Sequence, residues 1–187
     1  MNSPPPPPDA RTRILAAAQA LVRDLGVARL TLEATARAAG VSKGGLLHHF
    51  GSKEALLAGM MAHLAATIRD TFGTVRAAMP LGPYPTARAV VTFALSVPQR
   101  EADDLIDRIS AVLMAAHHHD PALLTPVRAV IGEIREAMQA EGTPQGPAAA
   151  VMAVKDGLIL ARMFGIYRLT EAERAALHAT LAGLLTP

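Results

Sequence analysis

Two short stretches concentrate the residue types that do chemistry. Residues 42–50 read SKGGLLHHF, and residues 117–120 read HHHD. A phosphate-cradling loop, a metal site and a surface for nucleic acid are the three chemistries to weigh. A Walker-type loop needs G-x-x-x-x-G-K-[ST], and a dinucleotide turn needs G-x-G-x-x-G behind a strand. Neither spacing is present in either stretch. Neighbouring side chains on a helix diverge by about 100°, so His48 and His49 do not converge on one ion, and the H-E-x-x-H step is missing. The same divergence applies to His117, His118 and His119. They stand just before Asp120-Pro121, where a helix should end and where imidazolium interacts favourably with the helix dipole. No metal is expected at either place.

Nucleic acid accounts for the first stretch better. In a helix-turn-helix the second helix enters the major groove by its N-terminal end. Ser42 caps that end, and Lys43 places a cation in the first turn. Glycine in a helix costs about 1 kcal/mol relative to alanine, so the pair Gly44-Gly45 needs a reason. Close approach of the helix backbone to DNA is such a reason, although neither position can then read a base. His48, His49 and Lys53 lie beyond, where polar side chains reach the duplex backbone. Thr31 and Ser42 also serve as caps, and one of the two histidines has the alternative of packing against Phe50.

These side chains need helices to hold them. Asp9 caps a helix in which Ile14, Leu15, Ala18, Leu21, Val22 and Leu25 recur at steps of three and four, and Gly26 ends it. Thr31 caps a second helix to Ala39, closed by Gly40. Ser42 caps a third to about Phe50, and Ser52 a fourth that runs from Lys53 past Ile68. Three such short helices must pack together, with Ile14, Leu21, Leu25, Leu32, Ala36, Val41, Leu46 and Phe50 as their core. Only Gly40, Val41 and Ser42 separate the second from the third, the tight connection of a helix-turn-helix.

Beyond Thr67 the pattern stays helical, with helices expected near 86–97, 100–117, 121–140, 147–166 and 170–185. Pro126 falls in the first turns of its helix and either delays its start or kinks it. No stretch alternates with period two. The fold class is all-α, with about nine helices: a proline-rich leader (1–8) expected to be disordered, a trihelical domain (9–52), and a larger helical domain (53–187).

Composition agrees. The 187 residues are 51% apolar but only 3% aromatic, a mixture suited to packed helices. The absence of cysteine removes disulfides, thiolate nucleophiles and cysteine zinc sites. The net charge is only +2, yet seven Lys/Arg stand against four acids between Asp9 and Gly59, which points towards an anionic partner there. No signal peptide or membrane-length apolar run is visible, so a cytoplasmic protein with no membrane partner is expected.

The run R-I-L-x-A-A-x-x-L, then G-V-x-x-L-T-L, then A-A-G-V-S-K-G-G-L-L-H-H-F-G-S-K-E-A-L, resembles the DNA-binding domain of TetR-family transcriptional regulators. The match covers about Thr12 to Leu57, with every element in order. The resemblance implies DNA contacts from Thr31, Ser42, Lys43, Gly44, Gly45, Leu47, His48, His49 and Lys53. Leu47 is a departure, since many members have a phosphate-touching tyrosine there; a leucine cannot donate that bond, so the contact is lost or taken over by His48. The resemblance further implies a homodimer on palindromic operator DNA and a small-molecule effector bound among the later helices.

The Met-rich residues available suit an adaptable apolar pocket, and Met60, Phe93, Met114, His117, Met138 and Met152 are its candidate lining. Simple core filling is the alternative for the methionines. The stripes Val151, Val154, Leu158, Ala161 and Leu177, Leu181, Leu184 are candidates for a dimer interface built from the last two helices, with the intramolecular core as their alternative. The expectation is thus a ligand-responsive regulator, most simply a repressor, with no cofactor and no catalytic residues. The competing readings are an enzyme on a helical scaffold, using scattered groups such as His63, Asp103, Asp104, Asp107 and Glu133, or an interaction module that has lost DNA binding.

Overall fold

The computed structural model describes residues 9–95, 112–114, 116–117 and 119–186. The expected leader, most of the helix expected at 100–117, and Asp103, Asp104, Asp107 and His118 lie outside the described residues. Among the described residues there are eight α-helices, two short 3-10 turns and no strand, so the chain is all-α as its composition indicates. The helices are α1 (Ala10–Leu25), α2 (Leu32–Ala39), α3 (Lys43–His49), α4 (Lys53–Ala77), α5 (Pro85–Leu95), α6 (Thr125–Ala140), α7 (Gln145–Met163) and α8 (Glu171–Leu184). Residues 112–119, where described, are helical too. The described residues form two compact units, one of 9–64 with 112–126 and the other of 65–95 with 127–186. The boundary falls inside α4, between Leu64 and Ala65, because Leu56, Leu57, Met60 and Met61 near its start are fully buried with the first unit's core residues.

Local chemistry starts each helix of the first unit. Asp9 Oδ1 accepts the Thr12 N–H at 2.7 Å, Thr31 Oγ1 that of Ala34 at 3.0 Å, Ser42 Oγ that of Gly45 at 3.0 Å, and Ser52 Oγ that of Ala55 at 3.1 Å. Each such cap is worth about 1 kcal/mol. Gly40 closes α2 in the left-handed conformation (φ 63°), and the Val41 N–H reaches back to the Ala36 carbonyl at 3.0 Å. α1 packs on both α2 and α3, and α2 on α3, which is the trihelical unit expected from the spacing. Ile14, Ala36, Leu46 and Phe50 are buried and Leu21, Leu32 and Val41 half-buried. Leu25 is a correction: it is 59% exposed at the last turn of α1, and Leu15, Ala18, Val22 and Leu30 are the buried residues there instead.

The second unit has its own core. Val130, Ile134 and Met138, each one turn apart on α6, join Val90, Val91 and Leu95 of α5, Val151 and Met152 of α7, and Leu181 of α8. Removing a side chain of this size from water is worth about 1.5–3 kcal/mol. Asp120 caps a 3-10 turn at Pro121–Leu124, so α6 begins only at Thr125 and Pro126 sits harmlessly in its first turn, the late start rather than the kink. A capping box opens α8: Thr170 Oγ1 accepts the Glu173 N–H, and the Glu173 carboxylate accepts the Thr170 N–H at 2.8 Å.

No local signal reveals the cap of α5. The Glu141 carboxylate, just past the end of α6, accepts the Thr86 N–H at 2.8 Å, the Thr86 hydroxyl at 2.6 Å and an Arg76 N–H at 2.8 Å. Arg76 Nε also donates to Thr86 Oγ1 at 3.0 Å. This knot joins the last turn of α4, the first of α5 and the end of α6. Burial pushes the Glu141 carboxyl up, but the bonds from Thr86 and Arg76 outweigh it and hold the group below its ordinary 4.5.

Glu141→Gln should therefore lower stability by about 1–3 kcal/mol at neutral pH, read by thermal unfolding. A carboxylate with a depressed folded pKa contributes fully above the unfolded value and loses that contribution as pH falls through the folded one. The gap between wild type and Glu141→Gln should accordingly narrow on acidification below about pH 4.5. A gap that stays constant down to pH 3 would mean the ionised carboxylate is not what holds the knot.

Candidate nucleic-acid interface

The arrangement of α3 follows from its two faces. Leu46 is fully buried and Phe50, the residue that ends the helix, is 4% exposed. At 100° per residue, Gly44 and His48 lie opposite that stripe, with Leu47 and His49 on its flanks. All four, together with Thr31, Ser42, Lys43 and Gly45, are exposed; Lys53, at the first position of α4, is half-buried. The structure thus places the expected contact residues in one unit, with those of α3 on or beside its outer face. His48 and His49 meet edge to face, ring centroids 5.4 Å apart, and neither lies against Phe50 among the ring contacts.

The two glycines of α3 differ in what the fold asks of them. A Cβ added at Gly45 would stand 3.2 Å from Ser42 Oγ and press on the cap. One added at Gly44 would meet nothing within 4 Å. Folding gives no reason for glycine at 44, and alanine there would favour the helix by about 1 kcal/mol.

Behind α3, the Phe50 ring is held from two sides. The Arg11 guanidinium of α1 lies 5.5 Å from the ring centroid, a cation–π contact. Gly59 of α4 presses against the other side so closely that a Cβ would fall 2.5 Å from Phe50 Cε1. The sequence reading missed Gly59, and its only trace was a glycine in a helical pattern. Glu54, in the first turn of α4, lies 3.5 Å from His119. Its own backbone N–H, the Ser52 side chain and the nearby His119 together hold its carboxyl below the usual range.

The candidate ligand residues divide between the two units. Met60, Met114 and His117 belong to the first unit, Met60 fully buried, Met114 49% exposed and His117 exposed. Phe93, Met138 and Met152 belong to the second, the two methionines in its core and Phe93 edge to face with Phe72 at 6.3 Å. Core filling, not a shared pocket, describes Met138 and Met152. A shallow surface cleft in the second unit, of about 10 Å³ and so with room for about one water molecule, is lined by Ala94, Leu95, Leu158, Arg162, Tyr167, Arg168, Leu169 and Arg174.

The candidate dimer stripes lie mostly in the chain's own core, the alternative weighed for them. Val151, Ala161 and Leu181 are buried within the chain, and Val154, Leu158 and Leu177 pack on the core of the second unit. Only Leu184 is substantially exposed. The outward face of α7 carries Ala149, Ala153, Gly157, Leu160 and the following Phe164, and that of α8 carries Ala172, Ala175, Ala176, Ala179 and Ala182. Asp156 is also exposed on α7, and Glu171, Glu173 and Thr180 on α8, so the outward sides are mixed while the periodic residues with the larger apolar side chains went inside.

Among the described residues no group of three or more His, Asp or Glu side chains could hold a metal, and no helix is long and apolar enough to cross a membrane.

Residues 14–60 match the family described as bacterial regulatory proteins, tetR family, and residues 85–186 match the tetracyclin repressor-like C-terminal domain. A comparison with curated proteins gives no match. Solved structures do resemble the chain. A TetR-family member from Streptomyces coelicolor A3 is 26% identical, with 96% of this chain and 100% of that one covered and a TM-score of 0.66. A transcriptional regulator from Rhodococcus sp. Rha1 is 21% identical over 95% and 96% of the two chains, with a TM-score of 0.72. The multidrug binding protein EbrR complexed with ethidium is 22% identical over 96% and 100%, with a TM-score of 0.66. The last two likenesses speak for the fold alone.

Gly59→Ala should force Phe50 out of place and destabilise the first unit by about 1–3 kcal/mol. Thermal unfolding checks this, with Gly73→Ala on the same helix as the control: a Cβ there meets nothing within 4 Å, so alanine should raise stability by up to about 1 kcal/mol.

Proposed function

This chain belongs to the TetR family of bacterial regulatory proteins, and from that premise we propose that it is a repressor which binds a palindromic operator as a homodimer and is released by a small apolar molecule. A DNA-binding transcriptional regulator is what the family is, so the enzyme reading falls away. One observation carries the DNA-contact assignment. The inward face of α3 is fully used by Leu46 and Phe50, while its outward face is bare at Gly44 for no reason internal to the fold.

On this reading Gly44 and Gly45 let α3 sit deep in the major groove, and Ser42, Lys43, His48, His49, Thr31 and Lys53 meet phosphates or base edges around it. Leu47 lies on the same surface. One unit of this size makes few base contacts, and a dimer doubles them on a palindrome. The outward faces of α7 and α8 are the proposed dimer surface. Their alanines and Gly157 would let two copies approach closely, with Leu160 and Phe164 as the larger apolar groups buried between them. EbrR, similar in fold, is a multidrug binding protein complexed with ethidium; an apolar effector of this chain would act by shifting the population of DNA-competent dimers.

Titration against the DNA upstream of the chain's own gene, by fluorescence anisotropy at several salt concentrations, tests the whole reading. Two chains per site and preference over a scrambled duplex are expected; no salt-dependent binding would end it. Lys43→Ala should weaken binding and reduce the salt slope by about one. Gly44→Ala should melt higher by up to about 1 kcal/mol and yet bind DNA more weakly. Unchanged DNA affinity in Gly44→Ala would show that nothing approaches α3 there. Ala153→Arg should give a monomer in sedimentation with loss of operator binding; a dimer that survives it places the interface elsewhere.

A further inference from the structure

We propose that Leu47 reads sequence by packing its isobutyl group against the 5-methyl group of a thymine in the major groove; the inference rests on the DNA-binding reading above. Leu46 is fully buried, whereas Leu47 beside it is 41% exposed in the middle of α3. Singly exposed leucines are ordinary on a protein surface, and Leu25 and Leu81 are others here. Leu47 differs in what surrounds it. Ser42, Lys43, His48 and His49 make the rest of this surface polar or cationic, so Leu47 joins no apolar patch that a protein partner would cover.

Its direction follows from helix geometry. A leucine on a helix leans back over the preceding turn, here over Lys43 and Gly44. Gly44 has no side chain and nothing within 4 Å of where one would start. The exposed isobutyl group thus stands one turn from the barest part of the helix, the part able to come nearest to a partner, without covering it. A phosphate offers a leucine nothing, since it needs a donor, and Lys43, His48 and His49 already supply donors on both sides. The floor of the major groove presents hydrogen-bonding groups at every base pair, and its one protruding apolar group is the thymine methyl, where cytosine has only a flat C5–H. An apolar side chain carried into that groove is best matched by that methyl.

The test replaces thymine by deoxyuridine, which deletes the methyl and leaves every hydrogen-bonding group in place. A duplex is first selected from a random pool by the full-length protein. Each thymine is then exchanged in turn, and wild type and Leu47→Ala are titrated against the series. For wild type, uracil at one or two positions per half-site should weaken binding roughly three- to tenfold, about the effect of one buried methyl. Leu47→Ala should bind thymine and uracil duplexes equally at those positions, and Leu47→Met should recover part of the discrimination. Indifference of wild type to every exchange would overturn the proposal, and that measurement needs no variant. So would an undiminished uracil penalty in Leu47→Ala, because another residue would then be reading the methyl. Failure to select any duplex would instead remove the DNA-binding reading beneath it.

Discussion

The ring of Phe50 is the point on which the first unit turns. It ends α3, lies under the Arg11 guanidinium of α1, and touches Gly59 of α4 with no room for another carbon. A ring so placed is confined by both neighbours. Because α3 is only seven residues long, fixing its C-cap at Phe50 and its N-cap at Ser42 fixes everything between them, and so the outward direction of Gly44 and His48. The outward surface of α3 is in this sense set from behind.

The two units reach order by different means. In the first, caps act over three residues and glycines close the turns, so each piece of chain specifies its own beginning and end. In the second, α5 is capped by a carboxylate 55 residues later in the chain, and the same carboxylate holds Arg76. An arrangement of that kind forms only once three helices have come together. Its contribution depends on keeping Glu141 ionised, whereas the caps at Ser42, Ser52 and Thr31 carry no charge.

This difference decides what could be read from the sequence. The helices of the first unit, their caps and the inward placement of Leu46 and Phe50 were all legible, because short-range spacing controls them. Leu25 was misplaced because one more turn of α1 repeats the apolar pattern past the point where anything packs on it. The stripes of α7 and α8 lie mostly in the chain's own core; both helices also carry alanines on their exposed sides, and periodicity alone does not say which apolar face goes inside. The candidate ligand residues were chosen by type. Type cannot reveal that Met138 and Met152 share a core while Met60 and Met114 belong to another unit. The Arg76–Thr86–Glu141 knot left no local trace at all, and the slot at Gly59 only that of a glycine in a helical pattern.

The brevity of α3 has a further consequence. A helix of seven residues with two adjacent glycines is far below the length at which an isolated segment holds its shape in water, about 12–15 residues even for good helix formers. A synthetic peptide of this sequence would be a coil, and grafting the nine letters SKGGLLHHF onto another scaffold would transfer the letters without the surface. Whatever the segment recognises, it recognises only while α1, α2 and α4 hold it, so the unit of inheritance for DNA recognition in this chain is the packed domain and not the motif.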